Sequence, residues 1–272
     1  MCRVGTGWCD TQTMPQFTVV PGPKKQMVRM RKLGVSLSYG GAYVGYYYGV
    51  YEYLHETFDL SNVAFFAGIS AGCQVAYWMA CGVEPSTAWD ACFIPTMQSG
   101  CTVASVPNSA HSSYYPELYT TALDHMKRLY DPSMLVACNR SLFVGVTVLE
   151  TMQKATLAQF EDPTDLLHAV LASQCIPFLF DTHVTIRGVS YIDGALSHHA
   201  PYEPCEAHWI HISVFKWESL HILGSFVNLH RLPSVAFHCA MKQRGYDAAK
   251  RRKSWLMRKG LRLHPLMTQP AL

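Results

Sequence analysis

Three short groups of residues carry types and spacings suited to acyl chemistry. Gly68-Ile69-Ser70-Ala71-Gly72 is a G-x-S-x-G box. Small residues two places either side of a serine let the chain turn tightly enough to push the hydroxyl out at the end of a strand. A helix starting behind it offers free N–H groups and a positive dipole to developing negative charge. Gly40-Gly41, 30 residues before Ser70, forms a turn whose N–H groups no Cβ shields, suited to an oxyanion and equally to plain structural punctuation. Asp193-Gly194-Ala195 puts an acid at the end of an apolar run, where Asp-Gly alone reads as a hairpin turn. Neither G-K-[ST] nor G-x-G-x-x-G occurs, so no nucleotide fingerprint is met.

These groups fall where alternating elements would position them. Leu33–Ser38 reads as a strand running into Gly40-Gly41, followed by a helix over Tyr43–Glu56 with Tyr43, Tyr47, Val50 and Leu54 on one face, a core stripe. Val63–Ala67 is a second strand and Ala71–Cys81 a second helix, the context a nucleophile elbow requires. Helices follow over Pro85–Met97 and Tyr115–Tyr130, separated by a small-residue loop, Gln98–Ser113. Leu142–Leu149 is a strand, Thr164–Ser173 a helix capped by Thr164, and Trp209–Val214 a late strand. Ser234–Met257 is a long helix, bent or interrupted near Gly245. Strands alternating with helices predict an α/β layer fold with a mostly parallel sheet, in which function gathers at the carboxyl ends of strands.

Together the three groups resemble the patatin-like phospholipase family: a Gly-rich loop, a G-x-S-x-G elbow about thirty residues on, and a D-G-[GA] box more than one hundred beyond. Leu166–Pro177 is similar to that family's helix ending in a small-residue-x-x-I-P turn, and Ala200-Pro201 also fits. Met241-Lys242-Gln243-Arg244-Gly245-Tyr246-Asp247 resembles a helix of the animal adipose triglyceride lipase and adiponutrin branch. The likeness covers about residues 33–262. It implies a three-layer α/β/α patatin-like fold and hydrolysis of lipid acyl esters by a Ser–Asp dyad. Ser70 is then the nucleophile and Asp193 the proton acceptor, with Gly40 and Gly41 as oxyanion donors, Gly68 and Gly72 shaping the elbow, and Gly194 and Ala195 completing the acid's box. No metal or organic cofactor is implied. The branch points to acylglycerols, the wider family to phospholipids or lysophospholipids.

The chain departs from the family at Tyr39 and Tyr43, which replace a glycine and a basic residue of the loop, at Val44, which replaces its last glycine, and at His199, where many members carry Asn. A weakened, lipid-binding or regulatory protein is therefore one alternative, and an acyltransferase is another, since both share the acyl-enzyme half. A Ser–Asp–His triad ending at His198, His199, His208 or His211 is the rival assignment; against it, an α/β-hydrolase elbow normally lies deeper in the chain than the second strand. Cys205, His208 and His211 make a poor zinc set, because His208 and His211 point to opposite faces of a strand.

The 272 residues are 49% hydrophobic and 15% charged, which excludes disordered, collagen-like and coiled-coil classes. Residues 1–32 hold six Lys/Arg against one acid and residues 242–272 hold nine against one, leaving an acidic body between basic ends. Such ends suit an anionic lipid surface, or equally a solvated helix face; nucleic acid is disfavoured. The uncharged runs Leu33–Tyr51 and Leu60–Val83 are broken by glycines and read as strand-turn-helix rather than spans. Met1–Asp10 lacks a signal-peptide pattern, so the ten cysteines read as free thiols in the cytoplasm. The expected organisation is a loose leader over 1–32, a catalytic domain over 33–204, and a strand with basic helices over 205–272 packing on it. A lipid substrate at a membrane or droplet surface is the expected partner.

Overall fold

The two apolar runs that precede the glycine groups are neighbouring parallel strands in the computed structural model, which describes residues 32–103, 116–177, 183–197, 207–218 and 233–265. The leader (Lys32 apart), most of the small-residue loop, Ala200, Pro201, His198, His199 and Cys205 lie outside those residues. In chain order, β1 (Leu33–Leu37) leads through a 3-10 turn (Gly41–Tyr43) into α1 (Val44–Thr57), β2 (Val63–Ile69) and α2 (Ala71–Cys81). Next come α3 (Pro85–Ala88), a π-turn, α4 (Ile94–Val103), α5 (Pro116–Leu129) and α6 (Pro132–Ser141). Then follow β3 (Leu142–Val148), β4 (Lys154–Leu157), α7 (Pro163–Ala172), β5 (Val184–Ile186) and β6 (Val189–Asp193). The last are β7 (His208–Ile212), α8 (Val214–Trp217), α9 (Val235–Arg251) and α10 (Lys253–Arg258).

The central sheet runs β5-β6-β3-β2-β1-β7, with β4 also on β3. Pairings among β7, β1, β2 and β3 are parallel, whereas β4, β5 and β6 add antiparallel. A strand has two edges, yet β3 has three partners. Along β3, β2 pairs with Leu142–Gly145, β4 with Val144–Thr147 and β6 with Val146–Val148. Because β4 overlaps both others, β2 and β6 must share the opposite edge, meeting end to end.

Alternate sheet residues, among them Val35, Leu37, Phe66, Leu142, Val144, Ile210 and Ile212, enter one core with the helices. Ala248, Ala249, Leu256 and Leu261 from the C-terminal helices join the same core. The tyrosine stripe of α1 is core, and burial goes further than one face: Tyr46, Tyr48, Tyr51 and Tyr53 are buried too. The reason is α9, which closes over the side of α1 turned away from α2. The two backbones approach so closely that a Cβ on Gly245 would overlap the Tyr46 carbonyl oxygen, and one on Gly49 the Lys242 carbonyl. Lys242 to Glu52 at 3.0 Å and Tyr246 hydroxyl to Glu56 at 2.7 Å line the seam.

Several details differ from the expectations. α9 runs straight through Gly245, which is there for close packing, and the chain turns at Arg252 instead. Asp162, not Thr164, caps α7 by accepting the Asp165 N–H at 2.8 Å, leaving Pro163 at the first helical position, where no donor is needed. α4 extends through Val103 into the expected loop. Among the described residues no helix is long and apolar enough to cross a membrane.

Gly245→Ala should test the seam. Helix propensity alone favours alanine by about 1 kcal/mol, but overpacking against an immovable carbonyl costs about 1–3 kcal/mol. A lowered urea midpoint is expected; a raised one would mean the helices stand farther apart.

Candidate active site

β2 carries the chain up to Ile69, and α2 must start back down at Ala71, so Ser70 makes the whole reversal. It does so at φ 54 and ψ −129, a left-handed conformation that costs a non-glycine residue on the order of 1 kcal/mol or more. The strain persists because its surroundings fix it. The Cys73 N–H bonds the Ser70 carbonyl at 2.8 Å, and Gly72 sits so close to β1 that a Cβ there would lie 2.5 Å from the Leu37 carbonyl oxygen. Ser70 is thus a buried residue at the mouth of α2.

Asp193 approaches from the opposite direction. Because β6 descends along the edge of β3 that β2 ascends, its last residue arrives head-on at the elbow. The Ser70 Oγ donates to Asp193 Oδ2 at 2.7 Å, closing a separation of 123 residues. The other carboxylate oxygen, Oδ1, accepts the Ala195 N–H at 2.7 Å. Asp193-Gly194 is therefore not a hairpin turn: it caps a 3-10 turn over Gly194–Leu196. Asp193 is 1% exposed. Burial pushes its pKa from the ordinary 3.8 up to about 7, although the bonds from Ala195 and Ser70 pull the other way.

Sequence reasoning missed the residue that ties the two halves. Ser173, expected as the end of a helix and the start of the turn after it, lies in the interior with its Oγ between two backbones: it accepts the Ser70 N–H at 2.9 Å and donates to the Gly145 carbonyl at 2.7 Å. The same turn reaches β6, since the Asp193 N–H bonds the Cys175 carbonyl at 2.9 Å. Thr147 adds a bond from its hydroxyl to the Asp193 carbonyl at 2.8 Å. The sequence signal was its place as the small residue of the Ser173-Gln174-Cys175-Ile176-Pro177 turn, at the end of a helix.

Gly40 and Gly41 leave β1 beside the elbow, because Leu37 pairs with Gly68. Gly41 alone in this loop takes a positive φ, 50°, so the loop needs glycine there and not at Tyr39, Tyr43 or Val44. The departing residues have packing tasks instead. The Tyr39 ring lies 5.4 Å from Phe215, and Tyr43 lies 6.4 Å from Phe215 and 5.8 Å from Phe237. Beneath them the Tyr47 hydroxyl donates to the Tyr39 carbonyl at 2.9 Å and accepts the Val214 N–H at 3.4 Å. Among the described residues the Gly40 and Gly41 N–H groups have no backbone acceptor.

The described histidines of the rival triad stand elsewhere. His208 pairs with Leu33 at the far end of β1, and His211 bonds Ser36 at 2.8 Å on a strand that pairs with β1 and not with β2. Both Asp193 oxygens are occupied by Ser70 and Ala195.

No family model and no curated protein matches the chain. Among solved structures it is similar to VipD from Legionella pneumophila, at 14% identity and a TM-score of 0.53, covering 88% of this chain and 69% of that one. Two further structures align less well: the ExoU–SpcU complex from the type III secretion system of Pseudomonas aeruginosa (15% identity, TM-score 0.44) and the type III effector protein ExoU (16%, 0.41). Each aligns over 85% of this chain and 53% or 54% of the other, so the chain spans about half of those two. At such identities the likeness is one of fold. A central sheet flanked by helices, with the strand-turn-helix elbow of β2 and α2, is the α/β patatin-like fold.

Proposed function

We propose that the protein hydrolyses fatty acyl esters of lipids, with Ser70 as nucleophile and Asp193 as base. The observation that carries this reading is the 2.7 Å hydrogen bond from Ser70 Oγ to Asp193 Oδ2 inside a buried, strained elbow. Ser70 Oγ attacks the ester carbonyl while its proton passes to Asp193. The tetrahedral intermediate then collapses, the leaving alcohol takes that proton, and an acyl-serine remains. Water repeats the sequence, giving the fatty acid and returning the proton to Ser70. The Ser70 N–H is committed to Ser173, so the oxyanion needs other donors. Gly40 and Gly41 supply them in this reading, aided by the dipole of α2.

A carboxylate of ordinary acidity is a poor base at neutral pH. Asp193 near 7 is matched to the task, since base strength and ionised fraction are then both substantial. The regulatory alternative rested on an eroded glycine loop. Its motive weakens once Tyr39, Tyr43 and Val44 occupy positions with no need for positive φ.

Substrate identity rests on chemistry more than on the acylglycerol branch. The helix that resembles that branch is α9, a scaffold element against α1, and it bears on packing rather than on the ester. The lipid-surface reading of the basic end meets a geometric objection. Gly260 accepts from Asn62 at 3.1 Å, and the Asp59 N–H bonds the Arg262 carbonyl at 2.9 Å, so the part of the basic end around Gly260–Arg262 lies at the start of β2, away from Ser70. We therefore assign lipid contact to the elbow end of the sheet, and phospholipids and acylglycerols compete as substrates.

Fatty-acid release from triacylglycerol, diacylglycerol, phosphatidylcholine and lysophosphatidylcholine is the direct test. Ser70→Ala and Asp193→Asn should each lower release by about 10³-fold or more. Release that survives Ser70→Ala overturns the reading. Because Asp193 accepts a proton only when ionised, kcat/KM should rise with pH through about 7.

The same shift makes a stability prediction. Between pH 3.8 and 7 the folded carboxyl keeps a proton that the unfolded chain has released. Its contribution is fully favourable below that range and is lost as pH rises through 7, a change of about 4 kcal/mol. Asp193→Asn removes the titration, so its stability relative to wild type should climb from pH 4.5 to pH 8 in urea unfolding. A pH-independent difference would mean that the carboxyl ionises as it does in water.

A further inference from the structure

We propose that the turn closing α7, centred on Ser173, sets the spacing between Ser70 and Asp193, making Ser173 a positioning residue for the reaction. The inference rests on reading those two as the reacting pair. They come from different strands, β2 and β6, which meet end to end with no ladder bond between them. What spans the junction is this turn. Ser173 Oγ holds the elbow by the Ser70 N–H at 2.9 Å and holds β3 by the Gly145 carbonyl at 2.7 Å. Its carbonyl accepts the Gly194 N–H at 3.4 Å, and the Cys175 carbonyl accepts the Asp193 N–H at 2.9 Å. Ser173 itself is anchored to α7 by its N–H on the Ala169 carbonyl at 3.2 Å. The turn Ser173–Cys175 thus references the nucleophile's backbone, the acid's backbone and the strand between them.

A hydroxyl is needed at that point because it must accept from one backbone and donate to another. Alanine does neither, and it strands a buried N–H and a buried carbonyl. Relaxing those groups moves the elbow, and the bond most exposed to the movement is Ser70 Oγ to Asp193 Oδ2. That bond favours the ionised carboxylate, so lengthening it raises the midpoint of the Asp193 titration. The neighbouring titratable group, Cys73, does not confuse the reading: burial pushes its thiol up to about 12, clear of the range examined.

The experiment follows the Asp193 carboxyl by carbon-13 NMR across pH 5–9 in wild type, Ser173→Ala and Ser173→Thr, alongside fluorophosphonate labelling of Ser70. In Ser173→Ala the carboxyl midpoint should rise by about half a unit or more, and labelling should slow by about ten- to a hundredfold. Ser173→Thr, which keeps the hydroxyl, should restore the wild-type midpoint. A role confined to stability would lower the urea midpoint of Ser173→Ala and leave the carboxyl titration where it was; that result overturns the proposal. If the alanine variant does not fold, Ser173→Cys, of similar size but a weaker donor, carries the same comparison. Failure of the underlying reading looks different. Wild-type protein that does not label, or Ser70→Ala that labels equally, removes Ser70 as nucleophile, while the carboxyl titration still decides whether Ser173 sets the spacing.

Discussion

The competition for β3 is the constraint on which the rest of the molecule depends. A hairpin partner, β4, takes one edge over Val144–Thr147, a stretch that overlaps both other pairings and so leaves a single edge for β2 and β6. Two strands running in opposite senses along one edge must stop where they meet. The residues at the meeting point are Ser70 and Asp193. Their proximity is a consequence of sheet topology, and it explains why the parallel half of the sheet gives way to an antiparallel half at this point. The edges of both strands are spent on β3, so no ladder bond holds them to each other. The side-chain bond between them and the turn after α7 take over that task.

The glycine loop shows how a departing sequence can keep a geometry. Tyr39 and Tyr43 occupy positions where flexibility or positive charge would be expected, and each ring instead packs on Phe215 of α8. That short helix cannot be rigid alone, since four residues make barely one turn. Its end is held by Glu218, which accepts from Tyr46 at 3.3 Å and pairs with Arg244 at 3.1 Å and Arg251 at 3.5 Å. The basic residues of α9 thereby reach the candidate site indirectly: they fix α8, α8 fixes two rings, and the rings cover the loop. A basic helix that looks like a surface device in sequence is partly a scaffold.

What was legible in the sequence follows from how local the signal is. Box, strand and helix around Ser70 declare themselves within twenty residues, because the elbow's sterics demand glycine at fixed offsets. The α1 and α2 boundaries were readable for the same reason. α6, β4 and β5 were not. β4 and β5 are short, four and three residues, with no usable period. α6 mixes Ser, Cys, Asn and Arg among its apolar residues, and Asp131-Pro132 reads as a stop when it is in fact a cap and first turn. The bend expected at Gly245 failed because glycine carries two meanings, weak helix former and close-contact residue, and only the partner helix decides between them. Ser173 was invisible as a functional residue because its partners are the backbone atoms of Ser70 and Gly145, and backbone atoms leave no mark on a sequence.

In the proposed reaction a carboxylate serves as base without histidine, which calls for a particular electrostatic solution. Removing water raises its proton affinity, and the burial of Asp193 does so, but unassisted burial would leave the acid protonated and inert. Two bonds to the ionised form, from Ala195 and Ser70, hold the balance near neutrality. Those bonds are short and directional, so the balance is a matter of tenths of an ångström. A histidine base would need no such shift, because the ordinary imidazole pKa already lies near neutrality. Here the proton affinity itself is made by position. In the proposed reaction the backbone bonds made by Ser173, Cys175 and Thr147 would therefore belong to the acid–base chemistry, since they hold the geometry around Asp193.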